Sequence, residues 1–217
     1  MALMAPELIE YVEKLADHGD PLLREMEERA ARDRFPIIGP ARGQFCHLMV
    51  RLTGARRVFE MGSGFGYSTV WLARGVAANG GGEVYHTVWD DQLSREARGW
   101  IERAGLSSLV RFHVGEAVAA LREAEGTFDV IFNDIIKSSY PASLPVVKEK
   151  LRPGGLLIID NMLWHGRILD DGDRSPEADG VREATRMLFS DPDYDASLIP
   201  IWDGMIIARK RERGASS

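Results

Sequence analysis

Two carboxylates, an amide and a lysine stand in two short segments of this chain at positions from which they could meet one ligand. Asp134 closes the apolar run Phe128-Asp-Val-Ile-Phe-Asn-Asp134, and Asp160 and Asn161 close the run Gly155-Leu-Leu-Ile-Ile-Asp160-Asn161. Runs of this length and composition read as strands buried on both faces, as in a parallel sheet. In an open α/β sheet, ligands bind beyond the carboxyl ends of the strands. Both segments therefore deliver hard oxygen donors to one rim, the kind of donor that suits Mg²⁺, Ca²⁺ or Mn²⁺. Singly, either aspartate could cap a loop; the pair, with Asn161 adjacent, points to a site. Lys137 follows Asp134 by three residues, an offset that carries its amine towards the same rim. A cation nearby would depress its pKa, as a general base requires. The plain alternative is a solvated loop lysine. Gly154 and Gly155 belong to an Arg152-Pro-Gly-Gly155 turn that introduces the second run.

A second candidate half-site lies upstream. Residues 57–61 read as a strand, followed by the glycine-rich turn Gly62-Ser63-Gly64-Phe65-Gly66 and a helix opened by Tyr67 and Ser68. Glycines let the backbone turn sharply and approach a ligand closely. No lysine follows, as a phosphate-binding P-loop would need. The pattern fits a nucleoside carrying an amino-acid tail, with Glu60 at the strand end as a contact. Glu60 could equally serve the turn. Tyr67 and Ser68 could hold a carboxylate at the helix start or simply begin the helix.

The elements that must position these residues alternate. After a helical preface, strands are expected at 57–61, 83–89, 109–114, 128–133 and 156–160, and helices at 66–78, 91–104, 116–123, 141–151 and 177–189. A hairpin turning at Asp203-Gly204 ends the pattern. Repeated βα units predict a doubly wound, seven-stranded, mostly parallel sheet of Rossmann-like type with an antiparallel C-terminal hairpin. In the preface, Leu8, Ile9, Val12, Leu15 and Ala16 share a helical face that Gly19 stops. Asp20-Pro21 reads as N-cap and first position of a second helix running towards Arg34. Residues 36–40 read as a break. A third helix, ending at Gly54, is expected to turn Phe45, Leu48, Met49 and Leu52 inward. One domain is expected, with residues 1–54 as a helical cap and 55–217 as the α/β core. Residues 170–179 read as a surface loop.

A chain of 217 residues, 45% of them hydrophobic, can bury one good core. Its formal charge of −6 weighs against a protein that works mainly by coating nucleic acid. The single Cys46 excludes an intramolecular disulfide and a cysteine metal cluster. No apolar run reaches the length of a membrane span, and the first residues lack a signal-peptide pattern, so a cytoplasmic location is expected. The five histidines, His18, His47, His86, His113 and His165, show no ligand spacing; only His165 falls near the candidate site. Trp164 and Tyr140 could wall an aromatic substrate or simply pack, whereas Trp89, Trp100 and Trp202 read as packing residues. The basic tail from Arg209 to Arg213 reads as a solvated end.

Together the segments resemble the class I S-adenosylmethionine methyltransferases, and more narrowly the cation-dependent O-methyltransferases of the catechol and caffeoyl-CoA type. The resemblance spans residues 37–210 and rests on four segments in order: Val58 to Ser68, Phe128 to Tyr140, Asp160-Asn161-Met-Leu-Trp164-His-Gly166, and Ile199 to Lys210. It implies an S-adenosylmethionine site at Glu60, Gly62, Ser63, Gly64, Gly66, Tyr67 and Ser68, with Asp134 alongside and Gly115, Glu116 and Ala117 near the adenine. For Glu116 a plain helix start is an equal reading. It also implies a divalent ion held by Asp134, Asp160 and Asn161, with Lys137 as base. Two departures stand out. Val88 falls where the family places a ribose-binding acid, leaving Asp90 as the candidate. Ile136 replaces an acid in the metal segment. The implied substrate is a small hydroxylated aromatic of catechol type, the implied assembly a homodimer. A tRNA hydroxyuridine methyltransferase and a non-catalytic nucleoside-binding protein are the alternatives; the strand-end Asp-Asn pair and the incomplete glycine pattern speak against a dehydrogenase.

Overall fold

A computed structural model describes residues 5–16 and 19–212; His18 and Arg213 lie outside them. Three helices come first: α1 (Pro6–Ala16), α2 (Pro21–Asp33) and α3 (Gly39–Leu52). Then β1 (Arg57–Met61), α4 (Tyr67–Ala78), β2 (Glu83–Val88), α5 (Asp91–Arg103), β3 (Val110–Val114), α6 (Ala117–Glu123), β4 (Phe128–Asn133), α7 (Tyr140–Lys150) and β5 (Leu151–Ile159) alternate. The chain closes with α8 (Pro176–Ser190), β6 (Tyr194–Ile199) and β7 (Met205–Lys210). The seven strands form one sheet in the order β3-β2-β1-β4-β5-β7-β6. Strands β1 to β5 are mutually parallel, and β7 runs antiparallel to both β5 and β6. The expected doubly wound sheet with its terminal hairpin is therefore the fold.

The order reverses between β1 and β4, and that switch point opens a crevice at the carboxyl ends of the strands. Both sheet faces are covered, so successive residues of each central strand enter opposite cores. Val58, Val130, Phe132 and Ile158 pack under α3 and α4, whereas Phe59, Ile131, Leu157 and Ile159 pack with α6, α7 and α8. The continuous apolar runs in the sequence reflect this double burial.

Local signals act as expected at several ends. Asp20 caps α2, accepting from the backbone N–H of Leu22 and Leu23. Other expectations fail for identifiable reasons. In α3 the buried face carries Ala41, Arg42, Cys46 and Val50; Phe45 and Met49 pack against the core as expected, while Leu48 and Leu52 are exposed. Gly43 lies against the Trp71 ring and Val50 against Gly75, so α3 and α4 meet along small residues, and that approach sets the inward face. The break at 36–40 is shorter than predicted, since Gly39-Pro40 already opens α3. The α1 face is only partly covered: Leu8 and Leu15 are exposed. The Arg152 to Gly155 segment is a bulge inside β5, where the register against β4 shifts. It lies at the opposite end of β5 from Asp160, so the glycine pair serves the sheet and not the site.

Beneath the glycine turn, His86 on β2 is wholly buried, its Nδ1 3.0 Å from Thr69 Oγ1. Burial, helped by the Arg98 charge, lowers its pKa to about 3. The native state therefore holds it neutral while the unfolded chain takes up a proton below its ordinary value of about 6.5. The stability it confers is complete above pH 6.5 and drains away as pH falls towards 3. The stability difference between the wild type and His86→Asn is expected to shrink by about 2 kcal/mol from pH 7.5 to pH 5. Urea unfolding of both proteins at the two pH values measures it; an unchanged difference rejects a neutral buried His86.

Candidate active site

A cavity of about 940 Å³ lies at the switch point, lined by residues from α1, the 35–42 segment, the glycine turn, and the ends of β2, β4, β5 and the hairpin. Its size suits a ligand of nucleoside size together with a small substrate. The glycine turn forms one wall through Gly62, Ser63, Gly64 and Phe65. Ser63 N–H donates to Thr87 O at 2.8 Å, and its hydroxyl accepts from Thr87 N–H at 3.0 Å, so the turn is tied to β2. Tyr67 and Ser68 line the cavity at the start of α4, and the Tyr67 hydroxyl donates to Glu27 at 2.7 Å.

Several residues expected to contact the cofactor do not line the cavity. Glu60 is sealed beneath the turn and does not line the cavity; Thr69 donates to its carboxylate at 2.5 Å. Burial raises its pKa, opposed by the hydroxyls of Ser68, Thr69 and Ser63. It braces the loop from behind. Gly66 is the N-cap of α4, close to Ala97 of α5, and is not part of the wall. Gly115, Glu116 and Ala117 also lie outside the wall. Glu116 caps α6, accepting from Val118 and Ala119 N–H at 2.9 and 2.6 Å, and Ala117 packs in the core. Val88 and Asp90 do line the cavity, with Asp90 also capping α5 through Leu93 N–H at 2.9 Å.

The residues of the predicted second half-site line the same cavity. Asp134, Lys137, Asp160 and Asn161 all face the cavity. Lys137 donates to Asp134 Oδ1 at 2.7 Å, and its amine lies 5.5 Å from the Tyr140 ring centre and 5.9 Å from that of Trp164. Gly180 of α8 packs directly on the Lys137 carbonyl, which fixes the backbone that carries the amine. Burial pushes the Asp134 pKa up to about 6; Lys137 opposes the rise and Asp160 adds to it. Tyr140 is wholly buried and donates to Asp160 O at 2.8 Å, so it packs and does not wall a substrate. Trp164 lines the cavity, and so do Trp89 and Trp202, both misjudged as packing residues. Trp89 is 67% exposed. Trp100 packs against the core as expected.

Two further cavity residues, Asp203 and Arg42, meet the cluster from distant segments. Asp203, seen only as a hairpin turn residue, accepts from Asn161 Nδ2 at 3.3 Å and from His165 N–H at 2.5 Å. It thereby fixes the Asn161 amide, leaving its Oδ1 without a hydrogen bond among the described residues. Arg42, on α3, donates to Asp160 Oδ2 at 2.7 Å. Non-glycine residues with positive φ also gather here: Asn161, Trp164, His165 and Trp202 all line the cavity. Backbone strain of this kind persists where the surroundings enforce it, and it clusters at functional sites.

The donor set of two carboxylates and one amide oxygen fits a hard divalent cation in its chemistry. Among the described residues no group of three or more His, Cys, Asp or Glu stands ready for a metal, so Asn161 is essential to such a set. The glycine turn, lining a cavity of this size, fits a nucleoside with an amino-acid tail.

The strand-order switch, the glycine turn after β1 and the acidic strand ends at β4 and β5 thus meet at one cavity of a Rossmann-like fold. A model of the O-methyltransferase family matches residues 13–211, and the chain belongs to that family. A catechol O-methyltransferase of Niastella koreensis is 31% identical over 209 residues, covering 91% of this chain and 94% of that protein. The O-methyltransferase of Bacillus cereus, solved in complex with SAH, is 30% identical with a TM-score of 0.86, covering 94% of this chain and 97% of the other. TomG of Streptomyces achromogenes, an O-methyltransferase of tomaymycin synthesis solved with SAM, is 27% identical with the same TM-score, covering 95% and 96%.

Proposed function

We propose that this S-adenosylmethionine-dependent O-methyltransferase methylates one hydroxyl of a vicinal aromatic diol, aided by a divalent cation at Asp134, Asp160 and Asn161. The observation that carries this reading is a single cavity lined both by the glycine turn and by the Asp134, Lys137, Asp160 and Asn161 cluster. The turn residues Gly62 to Gly64, with Ser68 and Asp90, would hold the cofactor. Methyl transfer forms an O–C bond as the sulfonium S–C bond breaks, and leaves S-adenosylhomocysteine and a methyl ether. A hydroxyl is a poor nucleophile until it loses its proton. Lys137, in its unprotonated form, would accept that proton. When bound, the cation would supply positive charge to stabilise the ionising hydroxyl. Trp164, Trp89 and Trp202 give the cavity aromatic surfaces against which a planar ring can pack. Holding oxygen and methyl carbon in line can supply about 7–11 kcal/mol in favourable cases.

A screen of labelled methyl transfer across catechols, flavonoids, CoA esters and total tRNA tests the substrate class. Preferential labelling of catechols or flavonoids supports it, and labelling of tRNA alone overturns it. Cofactor binding without transfer to any acceptor would favour a nucleoside-binding protein. The homodimer reading rests on the exposed Leu8, Tyr11 and Leu15 of α1; a monomer by light scattering at micromolar concentration rejects it.

A further inference from the structure

The carboxylate proposed to hold the cation already carries a cation supplied by the chain. Arg42 Nη1 lies 2.7 Å from Asp160 Oδ2, and the pair is nearly closed to solvent, with side chains 11% and 1% exposed. The guanidinium is clamped from behind: Nε donates to Ile38 O at 2.5 Å and Nη2 to Ile37 O at 3.3 Å. The Trp202 ring lies 5.6 Å from it, and Trp202 is itself held by Glu13 of α1 at 2.5 Å. The other oxygen of Asp160 accepts from Asn161 N–H at 2.8 Å. Lys137 sits on Asp134 in the same way. With Asp203 beside Asn161, three carboxylates face these two cations, so Arg42 lowers the net negative charge that draws a divalent ion from two to one while it stays in place. An ion bound to Asp160 Oδ2 would also stand within about 5 Å of the guanidinium, given metal–oxygen distances of about 2.0–2.6 Å. At that range like charges repel strongly in a site shielded from water.

We propose that Arg42 is a resident competitor for Asp160: the guanidinium and the divalent cation take the same carboxylate oxygen, and the ion binds only as Arg42 withdraws. This rests on the cation site proposed above. Two consequences follow. The wild type holds its ion weakly, and ion binding loosens the link through Arg42 and Trp202 between α3, the hairpin and α1. Arg42 is a positioning residue in this scheme, acting on the cation through Asp160.

Titration of Mn²⁺ followed by the loss of the free-ion EPR signal tests the proposal without reference to turnover. Arg42→Met, which keeps the length and loses the charge, is expected to bind Mn²⁺ at least tenfold more tightly than the wild type. Asp160→Asn in either background is expected to abolish binding. Equal affinity in the wild type and Arg42→Met, at a site lost in Asp160→Asn, overturns the Arg42 proposal and leaves the cation site standing. Absence of Mn²⁺ binding in every variant overturns both. Should Arg42→Met not fold, crystals of the wild type with Mn²⁺ decide: an ion on Asp160 with Arg42 still at about 2.7 Å contradicts the competition, and a displaced Arg42 supports it.

Discussion

Replacing Asp134 with alanine is expected to lower kcat/KM for methyl transfer roughly a thousandfold or more, about 4 kcal/mol in transition-state stabilisation. Asp134 stands where β4 ends, its N–H bonded to Met61 O of β1 at 2.9 Å, so its side chain enters the cavity beside the glycine turn. One carboxylate oxygen holds Lys137, and the other has no hydrogen bond among the described residues. Its loss removes a proposed cation ligand and frees the proposed base at the same time, so the two effects fall on one step. Because the strand-end backbone keeps its bond to β1, the fold is expected to survive. Initial rates with an aromatic diol, beside calorimetric binding of S-adenosylmethionine, separate a loss of chemistry from a loss of cofactor binding. A variant that keeps more than a tenth of the wild-type kcat/KM would remove Asp134 from the chemistry.

The second large effect is expected at Gly62. Its φ is +89°, and a Cβ there would lie 2.5 Å from the Asp134 carbonyl oxygen and 2.9 Å from its carbonyl carbon. Both atoms are backbone, so neither can step aside cheaply. In Gly62→Ala, left-handed strain and this overlap add, at a cost on the order of 3 kcal/mol. For a chain of this size the melting temperature falls by about 6–12 °C. Relief of the overlap pushes the glycine turn and the Asp134 strand end apart, which disturbs both cavity walls. Cofactor affinity is expected to drop at least a hundredfold even below the new melting point. A variant with unaltered melting and affinity would show that the two backbones do not meet as closely as described.

Much of this architecture was legible because the sheet is buried on both sides. Val58, Phe59, Val130, Ile131, Ile158 and Ile159 had no polar partners to blur the strands, and glycine turns marked the ends. Asp134, Asp160 and Asn161 stood out as a set, because two strand ends carried oxygen donors to one rim of the sheet. Contacts between distant segments were not legible. Arg42 meets Asp160 across 118 residues, and Asn161 meets Asp203 across 42; no local pattern encodes either. Helical periodicity alone allowed α3 two overlapping apolar faces, and the contacts at Gly43 and Gly75 decided between them. Glu60 and Glu116 sat in the right motif yet turned to their own loop and helix, a choice made by the nearest hydroxyls and N–H groups. Trp89 and Trp202 were misread because size and hydrophobicity favour burial, while their loops bring them to the cavity rim.

Oxygen donors at the ends of β4 and β5 are proposed to serve a divalent cation beside the methyl donor. The decisive test is transfer of the labelled methyl group to a catechol, measured at millimolar Mg²⁺ and again in excess EDTA. EDTA is expected to remove transfer and added Mg²⁺ to restore it, while Asp160→Asn is inactive in both conditions. Undiminished transfer in excess chelator would contradict it.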